Sequence, residues 1–196
     1  MFEFTALKWH WLCVSAIRLH ESSSSATCIS ELRLMRVYNA IPVEVPPDTN
    51  SSAGTEDVES VKILRKFHGS VLETCSPRMV QGDGNCMYRA ASLALYGTQQ
   101  HHLYLRAITA MELILHKEAY ESTSSTRLQA LFSNPVSASS YDKLLTDACK
   151  PNQFSELAHM YALSAALGTV IQSYMPASSA VRLANPYTCL VIGRGV

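Results

Sequence analysis

The chain predicts an α+β domain, helices first and strands last, on three observations. Apolar residues recur at three- and four-residue spacing through the middle of the sequence, β-branched runs fill the C-terminal third, and glycines or prolines separate the two. No internal repeat interrupts this order.

The N-terminal region is the least regular. Residues 2–19 are apolar enough to suggest a leader, but Glu3, Lys8 and His10 interrupt them and no basic stretch precedes them. Residues 1–36 are therefore read as a poorly defined extension, with a flexible break at Ser22–Ser25. A short apolar–polar alternation at Leu34, Met35, Arg36, Val37 and Tyr38 suggests a strand. Pro42, Pro46, Pro47 and the small polar run from Asp48 to Gly54 disfavour regular structure, so residues 37–60 are a Pro/Ser-rich linker or arm. The domain is expected over residues 61–196, where residues 61–67 could be helix or strand.

The best-specified stretch is Gln81-Gly82-Asp83-Gly84-Asn85-Cys86. Its glycines and Asp-Gly pair predict a tight turn, with both glycines free to take positive φ. Asn85 can cap the helix that follows. Met87, Ala90, Ala91, Ala94 and Leu95 then keep helical spacing to Tyr96, and Gly97 stops the helix. A second helix is predicted over residues 101–120, with Leu105, Ile108, Met111, Glu112 and Leu115 on one stripe. Asn134-Pro135 marks a turn, Tyr141 to Cys149 a short helix ended by Pro151, and residues 154–167 a fourth helix ended by Gly168. Strands follow at residues 169–174 and 188–192.

Composition narrows the function. Sixteen basic side chains balance sixteen acidic ones, so no net field draws nucleic acid or an anionic membrane, and neither is expected as a partner. The six cysteines are scattered without C-x-x-C or zinc-ligand spacing, so no metal or other cofactor is expected. Scattered thiols in a chain of this size fit a reduced compartment, the cytoplasm and also the nucleus.

Cys86 is the candidate nucleophile. It falls in the first turn of a helix, where the partial positive charge favours thiolate over thiol, and nearby loop amides could stabilise an oxyanion. Asp83 shapes the same loop. Arg89 has the reach to pair with an acid near the helix. His159 is expected at the surface beside the apolar stripe of its helix, and His101 and His102 at a helix start.

Asp83-Gly84-Asn85-Cys86, the run Tyr88-Arg89-Ala90-Ala91-Ser92 and the later Leu95-Tyr96-Gly97 together resemble the signature of ovarian-tumour (OTU) domain cysteine proteases. Residues 156–171 resemble that family's helix-then-strand segment, and residues 90–120 and 154–176 are similar to the OTU-like region of the vertnin family. The resemblance covers about residues 61–196. It implies a papain-like OTU domain, helices packed on a small central β-sheet, and hydrolysis of the isopeptide bond between ubiquitin and a lysine. By the same resemblance Cys86 and Asp83 are catalytic positions, Gly84 and Asn85 belong to the oxyanion loop, and ubiquitin or a ubiquitinated protein is the partner. The family's catalytic histidine sits late, and no histidine follows His159 in this sequence. The domain is therefore expected to be incomplete at its C-terminus and impaired in hydrolysis. The alternative is a non-catalytic OTU- or vertnin-like interaction module.

Overall fold

A computed structural model describes residues 54–66, 70–121, 140–176 and 187–192. The predicted strand at 34–38, the extension over 1–36, most of the 37–60 arm and the turn at 134–135 lie outside them.

The chain enters on a short stretch in which Glu56 bridges Arg78 antiparallel, Met79 N–H donating to Thr55 O and Asp57 N–H to Pro77 O. Asp57 then caps α1 (Val58–Leu64) by accepting from the Glu59 and Ser60 N–H groups. Of the residues that could be helix or strand, 61–64 are thus helix, and Arg65 is its C-cap. A further one-turn helix, α2 (Ser70–Thr74), follows.

Beyond the 81–85 loop come α3 (Cys86–Tyr96) and α4 (His102–Leu115). α3 has the bounds its spacing predicts, and Gly97 closes it in the left-handed region at φ 68°. The long predicted second helix is broken at His116, where φ −126° and ψ 38° leave helical values, and α5 (Lys117–Tyr120) continues as a single turn. Ser140 caps α6 (Tyr141–Cys149) through the Lys143 N–H. α7 (Leu157–Leu167) ends at Gly168, again left-handed at φ 64°.

α4 is the centre of the structure. Residues 104–114 are buried on every side, because α3, α6 and α7 pack around it. The predicted one-sided stripe is thus too narrow: Tyr104, Ala107, Ala110 and Leu113 are as enclosed as Leu105, Ile108 and Met111. Each large apolar side chain enclosed in this way contributes about 1.5–3 kcal/mol. Tyr88 from α3, Tyr141 and Ala148 from α6, and Ala162 and Leu163 from α7 complete the core.

The strands β1 (Ile171–Pro176) and β2 (Tyr187–Ile192) pair antiparallel, with Ile171 opposite Ile192 and Pro176 opposite Tyr187. They make a two-stranded ribbon whose helical neighbour is α7. Among the described residues a helix occupies the middle and the strands lie to one side, so they do not show the expected helices on a central sheet. Among the described residues, no helix is long and apolar enough to cross a membrane.

Candidate active site

The site is built where the 81–85 loop meets the turn after α6. Gly84 sits at φ 79° and is buried. A Cβ at this position would overlap the carbonyl carbon and oxygen of Asn152, so only glycine lets the two backbones approach this closely. Gly82 differs: it does not take a positive φ, and a Cβ there would meet nothing within 4 Å. Of the two glycines expected to be free to take positive φ, Gly84 alone does so.

Asp83 organises the loop. Its Oδ1 accepts from the Asn85 N–H at 3.0 Å, and its Oδ2 from Asn85 Nδ2 at 3.1 Å. Arg89, one turn into α3, donates from Nε to both oxygens and from Nη2 to Oδ2 at 2.6 Å. The Arg89 guanidinium, helped by the Asn85 bonds, holds the Asp83 carboxyl well below the usual carboxylate range. Both oxygens of Asp83 are thus occupied by groups that fix the loop. The pairing anticipated for Arg89 is found.

Asn85 stands at the N-cap position of α3, but its side chain makes no capping bond. The expected cap is corrected for a specific reason. Asn85 Nδ2 donates to Asn152 Oδ1 at 2.7 Å, and Asn85 Oδ1 accepts the Asn152 N–H at 3.0 Å. With Asp83 taking the other amide hydrogen, the side chain has nothing left for the helix. Its backbone, at φ −101° and ψ 10°, also lacks the extended angles of a capping residue. Asn152 in turn adopts φ 62°, a left-handed conformation that asparagine tolerates better than most residues.

Arg106 of α4 locks the arrangement. It is 1% exposed. Nη1 donates to the carbonyls of Asp147 and Lys150, both at 2.7 Å, and Nη2 to those of Gly84 at 3.1 Å and Gln153 at 2.7 Å. Its guanidinium carbon stands 4.6 Å from the centroid of the buried Tyr88 ring. One arginine thereby satisfies carbonyls at the C-terminal end of α6 and ties them to the cysteine loop. Sequence reasoning passed over Arg106 and Asn152. The available signal was a charged residue in the apolar run from Leu103 to Ile108, and asparagine after Pro151.

Cys86 is the first residue of α3, half-buried, with a free thiol. The first intrahelical bond is donated by Arg89 N–H to Asn85 O, so the Cys86, Met87 and Tyr88 N–H groups have no partner within the helix. The Asn85 N–H, by contrast, is taken by Asp83 and is not available to an oxyanion.

The described histidines have other partners. His159, expected at the surface, is 1% exposed. Its Nδ1 accepts the Glu156 N–H at 2.9 Å, and its Nε2 lies 2.8 Å from Leu144 O, which makes Nε2 the protonated nitrogen. Burial pushes its pKa down, so the ring is neutral. His102 Nδ1 lies 2.9 Å from Gln99 O and 3.4 Å from Arg89 Nη1, at the far side of the Asp83–Arg89 pair. His101 stands edge-on to Tyr96 with centroids 4.7 Å apart. A separate pocket of about 200 Å³, lined by Glu112, His116, Ser164 and Thr169 among others, lies between the C-terminal ends of α4 and α7.

Residues 77–193 match the family model described as the OTU domain of vertnin. The chain is 30% identical to vertnin of Bos taurus over 118 residues, which covers 51% of this chain and 18% of that protein. With vertnin of Ailuropoda melanoleuca the identity is 31% over 162 residues, 74% of this chain and 23% of that protein. An ovarian tumour domain-containing deubiquitinating enzyme 9 of Arabidopsis thaliana is 30% identical over 86 residues, 44% of this chain and 25% of that protein. The chain thus spans about a fifth of the length of the vertnins it matches, 18% for the bovine protein. No solved structure matches it. The family match takes in the Cys86 loop, the Arg106 clamp, the Asn152 turn and both strands, and the chain belongs to the family of vertnin OTU domains.

Proposed function

We propose that this domain is a cysteine-type hydrolase of ubiquitin isopeptide bonds, with Cys86 as nucleophile and the first turn of α3 as the oxyanion site. The observation that carries the reading is a half-buried free thiol on the first residue of an 11-residue helix whose leading N–H groups have no partner within the helix. The relative named as a deubiquitinating enzyme supports the substrate class.

In this reading the Cys86 sulfur adds to the carbonyl carbon of the isopeptide bond. The carbonyl oxygen takes the electron pair and faces the open N–H groups. The lysine amine leaves carrying the proton given up by the thiol, and water then cleaves the thioester at the ubiquitin C-terminus. Asp83 and Arg89 hold the loop rather than exchange protons, since both carboxylate oxygens are engaged. His159 does not serve as the base, because its two ring nitrogens are committed to Glu156 and Leu144. A positioned base contributes about 10²–10⁴ in rate, and with none placed beside Cys86 among the described residues turnover is expected to be slowed by about that factor. The proposal places the domain in a reducing compartment, the cytoplasm or nucleus, consistent with Cys75, Cys86 and Cys149 as thiols rather than disulfides.

The second reading is a ubiquitin-binding module without hydrolysis. It is favoured by the commitments of His101, His102 and His159 to partners other than the thiol. A ubiquitin C-terminal propargylamide probe separates the two. Covalent labelling of the wild type that is lost in Cys86→Ala supports the hydrolase. Saturable ubiquitin binding with no labelling supports the module, and neither binding nor labelling overturns both.

A further inference from the structure

We propose that Asn152 and Arg106 are positioning residues that hold the N-terminus of α3 open beside Cys86, by keeping Asn85 from capping its own helix. The inference rests on reading Cys86 as the reactive group. Asparagine is among the best N-cap residues, and in isolation Asn85 would turn its side-chain oxygen onto an N–H of the first turn. That would occupy one of the groups that stabilise negative charge on the neighbouring sulfur or on an attacked carbonyl. Three features prevent it. The Asn85 oxygen accepts the Asn152 N–H, and the Asn85 amide donates to Asn152 Oδ1 and Asp83 Oδ2. The Asn85 backbone stands at ψ 10°, away from capping angles. Arg106 fixes the Gly84 carbonyl on one side of Asn85 and the Lys150 and Gln153 carbonyls on either side of Asn152.

The purpose is legible in the cost. Asn152 accepts a left-handed backbone, and a buried guanidinium is committed to four carbonyls, to pair two short loops 67 residues apart. The turn after α6 is also outside the core: Lys150, Asn152, Gln153 and Phe154 are exposed. The reactivity of the thiol is therefore set from a surface turn that does not carry it.

The test reads Cys86 directly and needs no ubiquitin. Peptide-resolved alkylation by iodoacetamide, followed between pH 6 and 9, gives separate rates for Cys86 and Cys75. Asn152→Gly keeps the left-handed backbone and the N–H that Asn85 Oδ1 accepts but removes Asn152 Oδ1, so it loosens the reciprocal pair without abolishing it. Its Cys86 rate at neutral pH is expected to fall up to about threefold, the scale of a helix-end charge effect, with the Cys75 rate unchanged. Asn85→Ser, which exchanges the latched amide for a capping hydroxyl, is expected to slow Cys86 further. Arg106→Lys, which cannot reach all four carbonyls, is expected to act in the same direction wherever it folds. A folded Asn85→Ser with a wild-type Cys86 rate and pH–rate profile overturns the inference whatever the other two variants do. The ubiquitin probe separates this from the hydrolase reading. A wild type that ignores the probe while Asn152→Gly slows alkylation removes the hydrolase and keeps the latch. Equal probe labelling and equal alkylation in wild type and Asn85→Ser do the reverse.

Discussion

α3 and α7 are the same length and end the same way, yet they begin differently. Each runs 11 residues and each stops on a left-handed glycine, at φ 68° and 64°. α7 closes its own start with a capping box, in which the Glu156 side chain accepts from the His159 N–H and the His159 ring accepts from the Glu156 N–H. The Glu156 backbone is extended at ψ 169°, its N–H donates to the His159 ring, and His159 passes a second bond to Leu144. α3 leaves its start open, because the residue at its N-cap is bound to a distant turn. A helix whose beginning is satisfied within its own first turn serves packing. One whose beginning is held open from outside, with a half-buried thiol on its first residue, is fitted to receive charge.

Substituting Gly84 strikes this difference hardest. Gly84→Ala places a Cβ into the Asn152 carbonyl and forces a side chain into a left-handed backbone. Strain of about 1–2 kcal/mol adds to the loss of the hydrogen bonds joining Asn85 to Asn152, for an expected destabilisation of about 3–4 kcal/mol. Chemical denaturation measures it, and a loss below about 1 kcal/mol would mean the loops need not touch.

The closed start of α7 is broken by His159→Gln, expected to cost about 2 kcal/mol because one side chain cannot serve Glu156 and Leu144 with the same geometry. A pH signature accompanies it. Burial lowers the folded-state pKa of His159, so the unfolded chain takes up the proton first as pH falls below about 6.5. Stability is complete above that pH and declines toward the folded value, by at most about 1.4 kcal/mol per pH unit for this group. Burial pushes His101 and His102 the same way, so the variant is expected to flatten the decline without abolishing it. Denaturation midpoints at pH 7.5 and 5.5 decide: an undiminished pH dependence in His159→Gln contradicts the assignment.

Asp83→Asn acts on the open start more gently. It keeps the shape but removes the charge that Arg89 meets, for an expected loss of about 1.5–2 kcal/mol at neutral pH. Its pH window lies below that of the histidine. Because the folded pKa of Asp83 is depressed, its contribution is complete above about pH 4 and is lost only as pH falls through a value well below the usual carboxylate range. The gap between wild type and Asp83→Asn should therefore stay constant from pH 7 to pH 5. A gap already closing at pH 5 would show that Arg89 does not hold the carboxylate as described.

What could be read from the sequence follows the range of the interactions involved. The bounds of α3 and α6, and the glycine stops of α3 and α7, were legible because capping and left-handed termination are decided within a few residues. The place of Cys86 on the first residue of α3 was legible for the same reason, since loop and helix are contiguous. Asn85 misled for the opposite reason. Locally it is a good cap, and the competitor that claims it lies 67 residues away. His159 misled because its helix is small-residue-rich and buried on a wide face, so position beside the stripe did not mean exposure. Arg106 could be noticed as a charge in an apolar run, but its four carbonyl partners come from two other segments that no local pattern links.

The smallest expected effect is the most discriminating about the loop. Gly82 and Gly84 are two residues apart in a run that suggests equal roles, yet only Gly84 has a positive φ and a crowded Cβ direction. Gly82→Ala meets open space and a backbone that any residue can adopt, so its effect on the folded state should be near zero. The alanine also narrows the unfolded ensemble, which favours folding by about 0.4–1 kcal/mol where the native backbone is unstrained. Gly82→Ala is therefore expected to be neutral to slightly stabilising, and to leave the Cys86 alkylation rate where it was. A destabilisation above about 1 kcal/mol in the denaturation midpoint would mean that the turn is positioned from its outer end as well. The Asn152 contact would then no longer account alone for the shape of the loop.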